Sequence, residues 1–258
     1  MGYGSIGRRL AGFVGDGSAG RSALVATLVR DPAGHEAAED QGWPFVRTAD
    51  QLLAAKPDVI VEAAGHEAVR THIPGFLRAG VDTLIVSIGA LADDALFEEI
   101  RRSAEAGHSR LLLATGAVGS LDALSAARQI GLSEVLHTIR KPRSALGPLA
   151  DPPVSGPGGD IVAFAGSARE AALAFPANAN VVAAVGLAGI GLDRTQVRII
   201  SSPITDRNIH EIHATGAFGE LDFRIANRSA SDNPRSSLLA AGSLAAALAR
   251  RTAAVALA

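Results

Sequence analysis

The chain opens with MGYGSIGRR (Met1–Arg9), in which Gly2, Gly4 and Gly7 stand in the spacing G-x-G-x-x-G ahead of a helical stretch. Glycines at this spacing permit a tight turn, let a pyrophosphate approach backbone N–H groups, and let the helix pack closely on a sheet. An ordinary glycine-rich turn is the alternative to a dinucleotide site. The residues predicted to contact a dinucleotide in this turn are Gly2, Gly4, Ser5, Ile6 and Gly7.

Downstream of the glycines, apolar runs of strand length alternate with stretches of helical periodicity. A repeated strand–helix–strand order of this kind is typical of a doubly wound α/β sheet. The predicted strands are Ala23–Val29, Val59–Ala64, Thr83–Ser87 and Leu111–Ala114, and the predicted helices are Asp50–Ala55, Ala68–Ala79 and Asp93–Gly107.

The glycine turn should follow the first strand of such a sheet, which normally lies at its centre. Only Met1 precedes Gly2 in this sequence, so that first strand is missing. We therefore expect either a truncated start of the chain or a sheet that is compromised at this point. In both cases the glycines indicate descent from a dinucleotide-binding fold.

After residue 120 the pattern changes to strands with partial alternation, which predicts an α+β region with a mostly antiparallel sheet. Ser167 and Glu170 have the spacing of a capping box and mark a helix start. The Pro- and Gly-rich Gly147–Gly159 predicts an exposed loop, and an Ala/Leu-rich helix opened by Asn-Pro is predicted for Asn233–Leu257. The predicted strands are Val135–Ile139, Ile161–Ala165, Val197–Ser201, Ile209–Ala214 and Leu221–Ala226, and the predicted helices are Ser167–Leu173 and Asn180–Ala188.

The chain has 258 residues, a formal charge of −2 and no cysteine. No basic run exceeds two residues, which argues against nucleic-acid binding and against a polybasic membrane patch. The lack of cysteine excludes disulfides, thiolate nucleophiles and Cys-ligated zinc. No apolar stretch of about 18 residues predicts a membrane span, and the sequence shows no signal-peptide pattern. We expect a cytoplasmic protein.

The predicted strand ends supply candidate cofactor contacts, because ligands bind at the carboxyl ends of parallel strands. Asp31 ends the run ALVATLVRD and suits the free ribose hydroxyls of NAD, whereas the neighbouring Arg30 suits the 2′-phosphate of NADP. Ala64 and Gly65 end the next strand with small side chains, which leaves space for a cofactor. His66 beside them starts a helix more often than it acts as a catalyst.

The strongest polar cluster is ITDRNIHEIHATGAFGELDF, Ile204–Phe223. On a strand, Asn208 and His210 share one face. Glu211 and His213 share the other face. Histidine exchanges protons near neutral pH, so His210 beside Asn208 is a candidate for proton transfer, and a structural histidine is the alternative.

Three further segments carry polar groups, each with two interpretations. Asn178 and Asn180 start a predicted helix and either cap it or meet a ligand amide. Lys141 lies in a basic turn, RKPRS, which is either a solvated loop or an anchor for a carboxylate substrate. The segment SDNPRSS, which includes Ser236 and Ser237, is either a helix cap or an anion site at a helix N-terminus.

Other site chemistries find little support in the sequence. His210 and His213 have an H-x-x-H spacing, but on a strand they point to opposite faces and no third ligand accompanies them. No metal site is therefore predicted. A serine hydrolase is not indicated either, because the chain has no G-x-S-x-G elbow.

Taken together, these segments resemble the L-aspartate dehydrogenase family. Its motifs follow one another along nearly the whole chain: GYGSIG, VEAAGHEAV, VSIGAL, TGAVGSLDAL, IRKPRSAL, FPANANVVAA, NIHEIHATGAFG and NPRSSLLAAGSLAAAL. The resemblance implies a Rossmann-type dinucleotide-binding domain, residues 1–118 completed by a helix at 233–258. It also implies an α+β catalytic domain, residues 119–232, whose sheet forms the contact of a homodimer.

The same resemblance implies oxidation of L-aspartate with NAD or NADP, through iminoaspartate, to oxaloacetate and ammonia, with iminoaspartate available for NAD biosynthesis. It suggests His210 as the active-site histidine and Ala117 and Asn180 as cofactor contacts. The chain departs from the family pattern in its missing first strand. It also has Gly119-Ser120 before LDA, where the family frequently has Gly-Gly, and Ser202-Pro203 before the histidine strand, where the family frequently has Asp-Pro. The predicted substrate contacts are Lys141, Asn208, Ser236 and Ser237.

Two alternatives stay open at the level of sequence. A non-catalytic sensor of nicotinamide nucleotides would keep the fold but needs no proton-transfer residue, so the intact NIHEI favours an enzyme. A related enzyme of the same two-domain plan, such as a homoserine dehydrogenase or a dihydrodipicolinate reductase, would act on another amino acid or on an imine.

Overall fold

The computed structural model of the chain describes residues 1–31, 44–143, 154–155, 159–230 and 233–256, without the side chains of 154–155, 229–230 and 233–236. The chain forms two compact units, Met1–Ala114 with Ala240–Ala258, and Thr115–Leu239. The domain limits expected from the sequence stay a prediction. Within the described ranges, no helix is both long enough and apolar enough to cross a membrane.

The helices and strands are numbered in chain order. The helices are α1 (Ser5–Gly15), α2 (Ala49–Ala54), α3 (His66–Arg78), α4 (Asp94–Ala106), α5 (Leu121–Ile130), α6 (Ala168–Ala174), α7 (Ala179–Ala188) and α8 (Leu238–Thr252). The strands are β1 (Thr27–Leu28), β2 (Phe45–Val46), β3 (Val59–Glu62), β4 (Asp82–Ile85), β5 (Leu111–Leu113), β6 (Leu132–Pro142), β7 (Val154–Ser155), β8 (Ile161–Ser167), β9 (Gln196–Ser202), β10 (Asn208–Gly216), β11 (Gly219–Asn227), β12 (Ser229–Ala230) and β13 (Asn233–Ser237).

The first unit has the parallel strands and intervening helices that the alternating pattern predicts. β3, β4 and β5 form a three-stranded parallel sheet in that order. Its central strand contributes Leu84 to a core cluster that also contains Leu10 of α1 and Leu244 and Leu248 of α8. Central parallel strands are covered on both faces, which explains their continuous apolar runs.

The expected defect in this sheet is present, because β1 and β2 form a separate two-stranded parallel sheet. Met1 and Gly2 lie between the two sheets: Gly2 N–H donates to Leu28 O at 2.9 Å, and Ala63 N–H donates to Met1 O at 2.9 Å. The Met1 ammonium donates to Val61 O at 2.7 Å. Of the predicted strand Ala23–Val29, only Thr27–Leu28 forms a strand, β1. This short length fits a strand that pairs with one neighbouring strand, β2.

A cavity of about 430 Å³ opens beside Met1. It is lined on one side by Leu24 and Ala26 and on the other by Val59 and Val61, with α1 and α8 contributing further residues. This is the position that the central first strand occupies in a doubly wound sheet. Burial lowers the pKa of the Met1 ammonium to about 6, since water cannot solvate its charge there.

The second unit contains one six-stranded sheet of order β11-β10-β6-β9-β8-β7. Every neighbouring pair is antiparallel except β6 with β9, so the prediction of a mostly antiparallel sheet is confirmed. α5 packs on β6 and on α7, and α6 packs on β8, β9 and α7. The capping box at Ser167 and Glu170 is present at the start of α6, as predicted.

The helix predicted for Asn233–Leu257 begins five residues later than expected. Asn233–Ser237 is β13, which pairs antiparallel with β12. Because Asn233 and Pro234 belong to this strand, they do not cap the helix. Ser237 does so instead, since its hydroxyl accepts a hydrogen bond from Leu239 N–H at 3.2 Å. The predicted loop Gly147–Gly159 lies mostly outside the described residues, apart from β7 and Gly159.

We predict that an apolar β-branched segment of about six residues, fused ahead of Met1, will fill the cavity and stabilise the protein. The fusion also converts the buried ammonium into a neutral peptide N–H. A gain of about 2 kcal/mol would raise the Tm by roughly 4–8 °C in a chain of this size. Thermal melts and NADH titrations measure the effect.

The matched control carries a Gly/Ser extension of the same length, which removes the terminal charge without supplying apolar side chains. If the two extended proteins melt together, or neither melts above the unextended chain, the cavity does not accept a strand.

Candidate active site

The glycine turn at the start of the chain is required by close backbone contacts. Gly2 has φ +85°, and a Cβ on it would lie 2.6 Å from Ala63 O. A Cβ on Gly7 would lie 2.3 Å from Gly2 O, which no side chain tolerates. A Cβ on Gly4 would meet nothing within 4 Å, so the backbone at Gly4 is open to a ligand.

The N-terminus of α1 suits the pyrophosphate of a dinucleotide. Gly4 is its N-cap and provides no side-chain cap, and the first turn contains no acidic residue. The hydroxyl of Ser5 is buried without a hydrogen-bond partner among the described residues. Free N–H groups and an unpartnered hydroxyl fit an anion at a helix N-terminus. The side chain of Ile6 instead packs against the core cluster of the unit.

A buried carboxylate, that of Glu62, fixes the turn after β3 through hydrogen bonds. Glu62 was not among the residues predicted from the sequence. Glu62 is fully buried and accepts hydrogen bonds from the backbone N–H groups of Ala64 (2.6 Å) and Gly65 (2.7 Å). It also accepts from the N–H (3.0 Å) and the hydroxyl (2.8 Å) of Ser87, after β4. Gly65 has φ +108° and caps α3 without a side chain, and a Cβ on it would meet nothing within 4 Å. The cofactor contact of Ala64 and Gly65 stays a prediction.

The two candidate ribose contacts lie beyond the end of β1. Arg30 and Asp31 are both exposed, and the residues that follow, 32–43, are outside the described part of the chain. Their predicted roles toward NAD and NADP therefore stay a prediction.

In the second unit, strand pairing gathers the polar candidates on the buried face of the sheet. His210 of β10 lies opposite Ile139 of β6 and Ile225 of β11. Two residue pairs further along, Asn208 lies opposite Asn227 of β11. In β6, Lys141 lies opposite Ser201 of β9. Since alternate residues share a face, Asn208 and Lys141 lie on the same face of the sheet as His210. Together these three residues form the polar end of that face.

His210 is 4% exposed and makes a hydrogen bond through Nδ1 to Nε2 of His137, at 3.2 Å. Burial and the positive charge of Lys141 lower the pKa of His210 to about 4. The ring is consequently neutral at physiological pH, with Nε2 as the nitrogen available to a reactant. This is the state that a general base requires.

His137 is the second histidine of this site, and the sequence analysis did not identify it. It is fully buried, and burial together with His210 holds its pKa well below the usual range. Its Nδ1 atom has no hydrogen-bond partner in the described part of the chain. His137, Ile139 and Lys141 alternate along β6 and so share a face, and the pairing of Ile139 with His210 makes this the face of His210.

The prediction of a basic turn at RKPRS is wrong for its first three residues. Arg140, Lys141 and Pro142 are the end of β6, because the strand continues its pairing with β9 as far as Pro142 and Ser202. Lys141 is 9% exposed, and burial lowers its pKa. A solvated-loop lysine is therefore ruled out, whereas the role of Lys141 toward a substrate stays a prediction.

Ala117 lies in the loop ahead of α5, where Asn227 Nδ2 donates to its carbonyl oxygen at 2.7 Å. A Cβ on Gly119 would lie 2.7 Å from the ring of Phe223, so this loop is closely packed on β11. Ser120 has φ +63°, the left-handed conformation that favours the glycine frequent in the resembled family.

The remaining candidates differ in how far the structure describes them. Asn178 is the N-cap of α7 but makes no side-chain cap hydrogen bond, and Asn180 lies half-buried in the first turn of that helix. The side chain of Ser236 lies outside the described residues, and Ser237 caps α8. The predicted helix start at Asn233 is wrong, because Asn233–Ser237 is a strand, whereas the predicted substrate contacts of Ser236 and Ser237 stay a prediction.

His213 lies on the opposite face of β10 from His210, as the strand period predicts. Its Nδ1 is 2.9 Å from Asp222 Oδ1 and 3.6 Å from Glu220 Oε1. The hydrogen bond with Asp222 raises the pKa of His213. The three side chains form a surface cluster with ligand atoms within 4.8 Å of one another. The two histidines thus have opposite environments, one buried and neutral, the other exposed and paired with acids.

Known proteins match the chain over nearly its whole length. The family model described as aspartate dehydrogenase, C-terminal, matches residues 122–251, and that of the homoserine dehydrogenase NAD binding domain matches residues 2–114. An L-aspartate dehydrogenase of Pseudomonas aeruginosa is 43% identical over 203 residues, 75% of this chain and 73% of that protein. One of Ruegeria pomeroyi is 45% identical over 235 residues, 90% of this chain and 85% of that protein.

A solved structure also matches the whole length of the chain. The crystal structure of aspartate dehydrogenase from Thermotoga maritima is 25% identical in sequence, covers 100% of this chain and 97% of that chain, and superposes with a TM-score of 0.78.

Proposed function

The chain belongs to the L-aspartate dehydrogenase family, and we propose that His210 is the general base of its reaction. The protein is an NAD(P)-dependent oxidoreductase that acts on L-aspartate. The observation that carries the assignment of His210 is its position: a buried, neutral imidazole at the polar end of the sheet face, in line with Asn208 and Lys141.

The reaction converts L-aspartate, NAD(P)⁺ and water into oxaloacetate, ammonium, NAD(P)H and one proton. The bound nicotinamide supplies the acceptor for the hydride that leaves Cα of aspartate. For the C=N bond to form, the substrate ammonium must first lose a proton. Water that adds to the resulting iminium must lose another. We assign both proton transfers to Nε2 of His210, which is unprotonated before substrate binds and releases the first proton to solvent before it accepts the second.

Lys141 is assigned to one carboxylate of the substrate. Its ammonium is nearly buried, so an ion pair there is strengthened by the low local polarity, and Asn208 beside it offers amide donors. A carboxylate paired with Lys141 also offsets the positive field that lowers the pKa of His210. The base therefore becomes stronger when substrate is present.

The cofactor is assigned to the residues predicted from the sequence. The N–H groups at Gly4 and Ser5 would hold the pyrophosphate, and Gly65 would allow close approach of the cofactor. The backbone at Ala117 and the side chain of Asn180 would fix the nicotinamide carboxamide. Support for Ala117 comes from the hydrogen bond that Asn227 donates to its carbonyl, which fixes the orientation of that peptide.

A nucleotide sensor is the less favoured function, because nothing in sensing explains a buried histidine held neutral beside a lysine. We further propose that the protein is a cytoplasmic homodimer and that released iminoaspartate enters NAD biosynthesis. The resemblance of its motifs to the family supports these proposals, and the lack of cysteine in the sequence is compatible with the location.

We predict that Asp31→Ala weakens NAD⁺ binding more than NADP⁺ binding, because the carboxylate suits free ribose hydroxyls and repels a 2′-phosphate. Arg30→Ala is the matched control and should have the opposite preference. Dissociation constants for both cofactors measure the effect. An equal loss for both cofactors in both variants would show that this pair does not contact the ribose.

We predict that His210→Ala lowers kcat by roughly 10²–10⁴-fold with L-aspartate, the usual contribution of a positioned acid or base. NADH binding should stay nearly unchanged, since His210 is not among the residues assigned to the cofactor. The assay follows the absorbance of reduced nicotinamide at saturating substrate.

His213→Ala is the control, three residues along the same strand but on the exposed face, and it should retain most of the activity. A crippled His213→Ala beside a mildly affected His210→Ala would reverse the assignment of the two histidines.

A further inference from the structure

His137 and His210 form a pair on neighbouring strands. His137 lies opposite Ile212 in the β6–β10 register, two residues along from the His210–Ile139 pair, so the imidazoles are diagonal neighbours on one face. Their ring centroids are 5.3 Å apart and their planes meet at 39°, with one short contact, Nε2 to Nδ1 at 3.2 Å. The rings therefore meet at their nitrogen edges, as a hydrogen bond requires, and are not stacked.

The surroundings of His137 give no structural reason for a histidine. Its neighbours along the pairing are Ile212 of β10 and Val197 of β9, both buried. Its Nδ1 atom is buried without a hydrogen-bond partner among the described residues. An unpaired buried polar atom lowers stability, so an apolar side chain of similar volume would fit this position at least as well. The contact with His210 is the interaction that only a polar side chain provides.

We propose that His137 is a positioning residue for the oxidation of L-aspartate: its Nε2 accepts a hydrogen bond from Nδ1–H of His210 and so keeps the Nε2 lone pair of His210 free for the substrate. The proposal rests on the role of His210 as base. In the reversed arrangement, with His137 Nε2–H as donor, the neutral His210 would carry its proton on Nε2 and could not accept another there.

A neutral partner suits this site better than the carboxylate that often orients a catalytic histidine. A carboxylate would stabilise the imidazolium and keep His210 protonated before substrate arrives. The titratable groups described as acting on His210 are His137 and Lys141, both on β6, while Asn208 and Ile225 are its uncharged neighbours on β10 and β11. His137 therefore orients the ring without adding negative charge.

Two substitutions separate positioning from packing. His137→Gln keeps an acceptor near the position of Nε2, whereas His137→Phe keeps the volume and removes every polar atom. We expect kcat of His137→Phe to fall roughly 10- to 100-fold, because the base loses its fixed tautomer and orientation. The Gln variant should stay within about three-fold of the wild type. KM and NADH affinity should change little in both.

Thermal melts provide the structural readout. Since the phenylalanine removes an unpaired buried nitrogen, the Tm of His137→Phe should equal or exceed that of the wild type, so a fall in kcat cannot be ascribed to unfolding. If the Tm of that variant falls instead, His137→Met, which adapts to irregular space, takes its place in the same comparison.

The double variant His137→Phe/His210→Ala distinguishes failure of this proposal from failure of the proposed base. If His137 acts through His210, the double variant should have a kcat no lower than that of His210→Ala alone. A folded His137→Phe or His137→Met with wild-type kcat overturns the role of His137, as does a Gln variant as slow as Phe. A wild-type kcat in His210→Ala itself would overturn the base instead.

Discussion

The antiparallel pairing of β6 with β10 is the constraint on which the candidate site depends. Because side chains alternate on strands, this single register places His137, Lys141, Asn208 and His210 on one buried face. A shift of the pairing by one residue would turn His210 to the surface and bring His213 inward. The strong difference between the two histidines, one buried and neutral and one paired with acids, is a consequence of that register.

Burial of this face determines the chemistry as well as the fold. Removing water from His210 disfavours its charged form, and the lysine on the next strand adds to that effect. The site therefore holds a base that is free of its proton until a substrate with two carboxylates enters beside Lys141. Among the described residues, Nδ1 of His137 is buried without a hydrogen-bond partner, which is common where polar groups are kept for function.

Much of this architecture follows from local sequence patterns. The order of strands and helices, the capping box at Ser167 and the opposite faces of His210 and His213 all depend on periodicity and on short spacings. What the sequence did not reveal depends on long-range pairing. β13 replaced the predicted start of the last helix because it pairs with β12, and RKPRS is partly a strand because β9 extends alongside it.

The same limit explains the residues that were missed. Glu62 ends an otherwise apolar strand and His137 lies in a strand of mixed composition, and the importance of both comes from partners 25 and 73 residues away. No motif links such positions in one sequence. The glycine turn, by contrast, was recognisable because its three glycines, including the Gly2 and Gly7 that lie in close contact, are within six residues of one another.

At neutral pH, His210 should be a neutral base with its proton on Nδ1. The most direct test is the ¹⁵N NMR spectrum of its ring nitrogens near pH 7.5, assigned by comparison with His210→Ala. We predict a neutral ring with Nδ1 protonated and Nε2 bare. An imidazolium, or a neutral ring with the proton on Nε2, would contradict it.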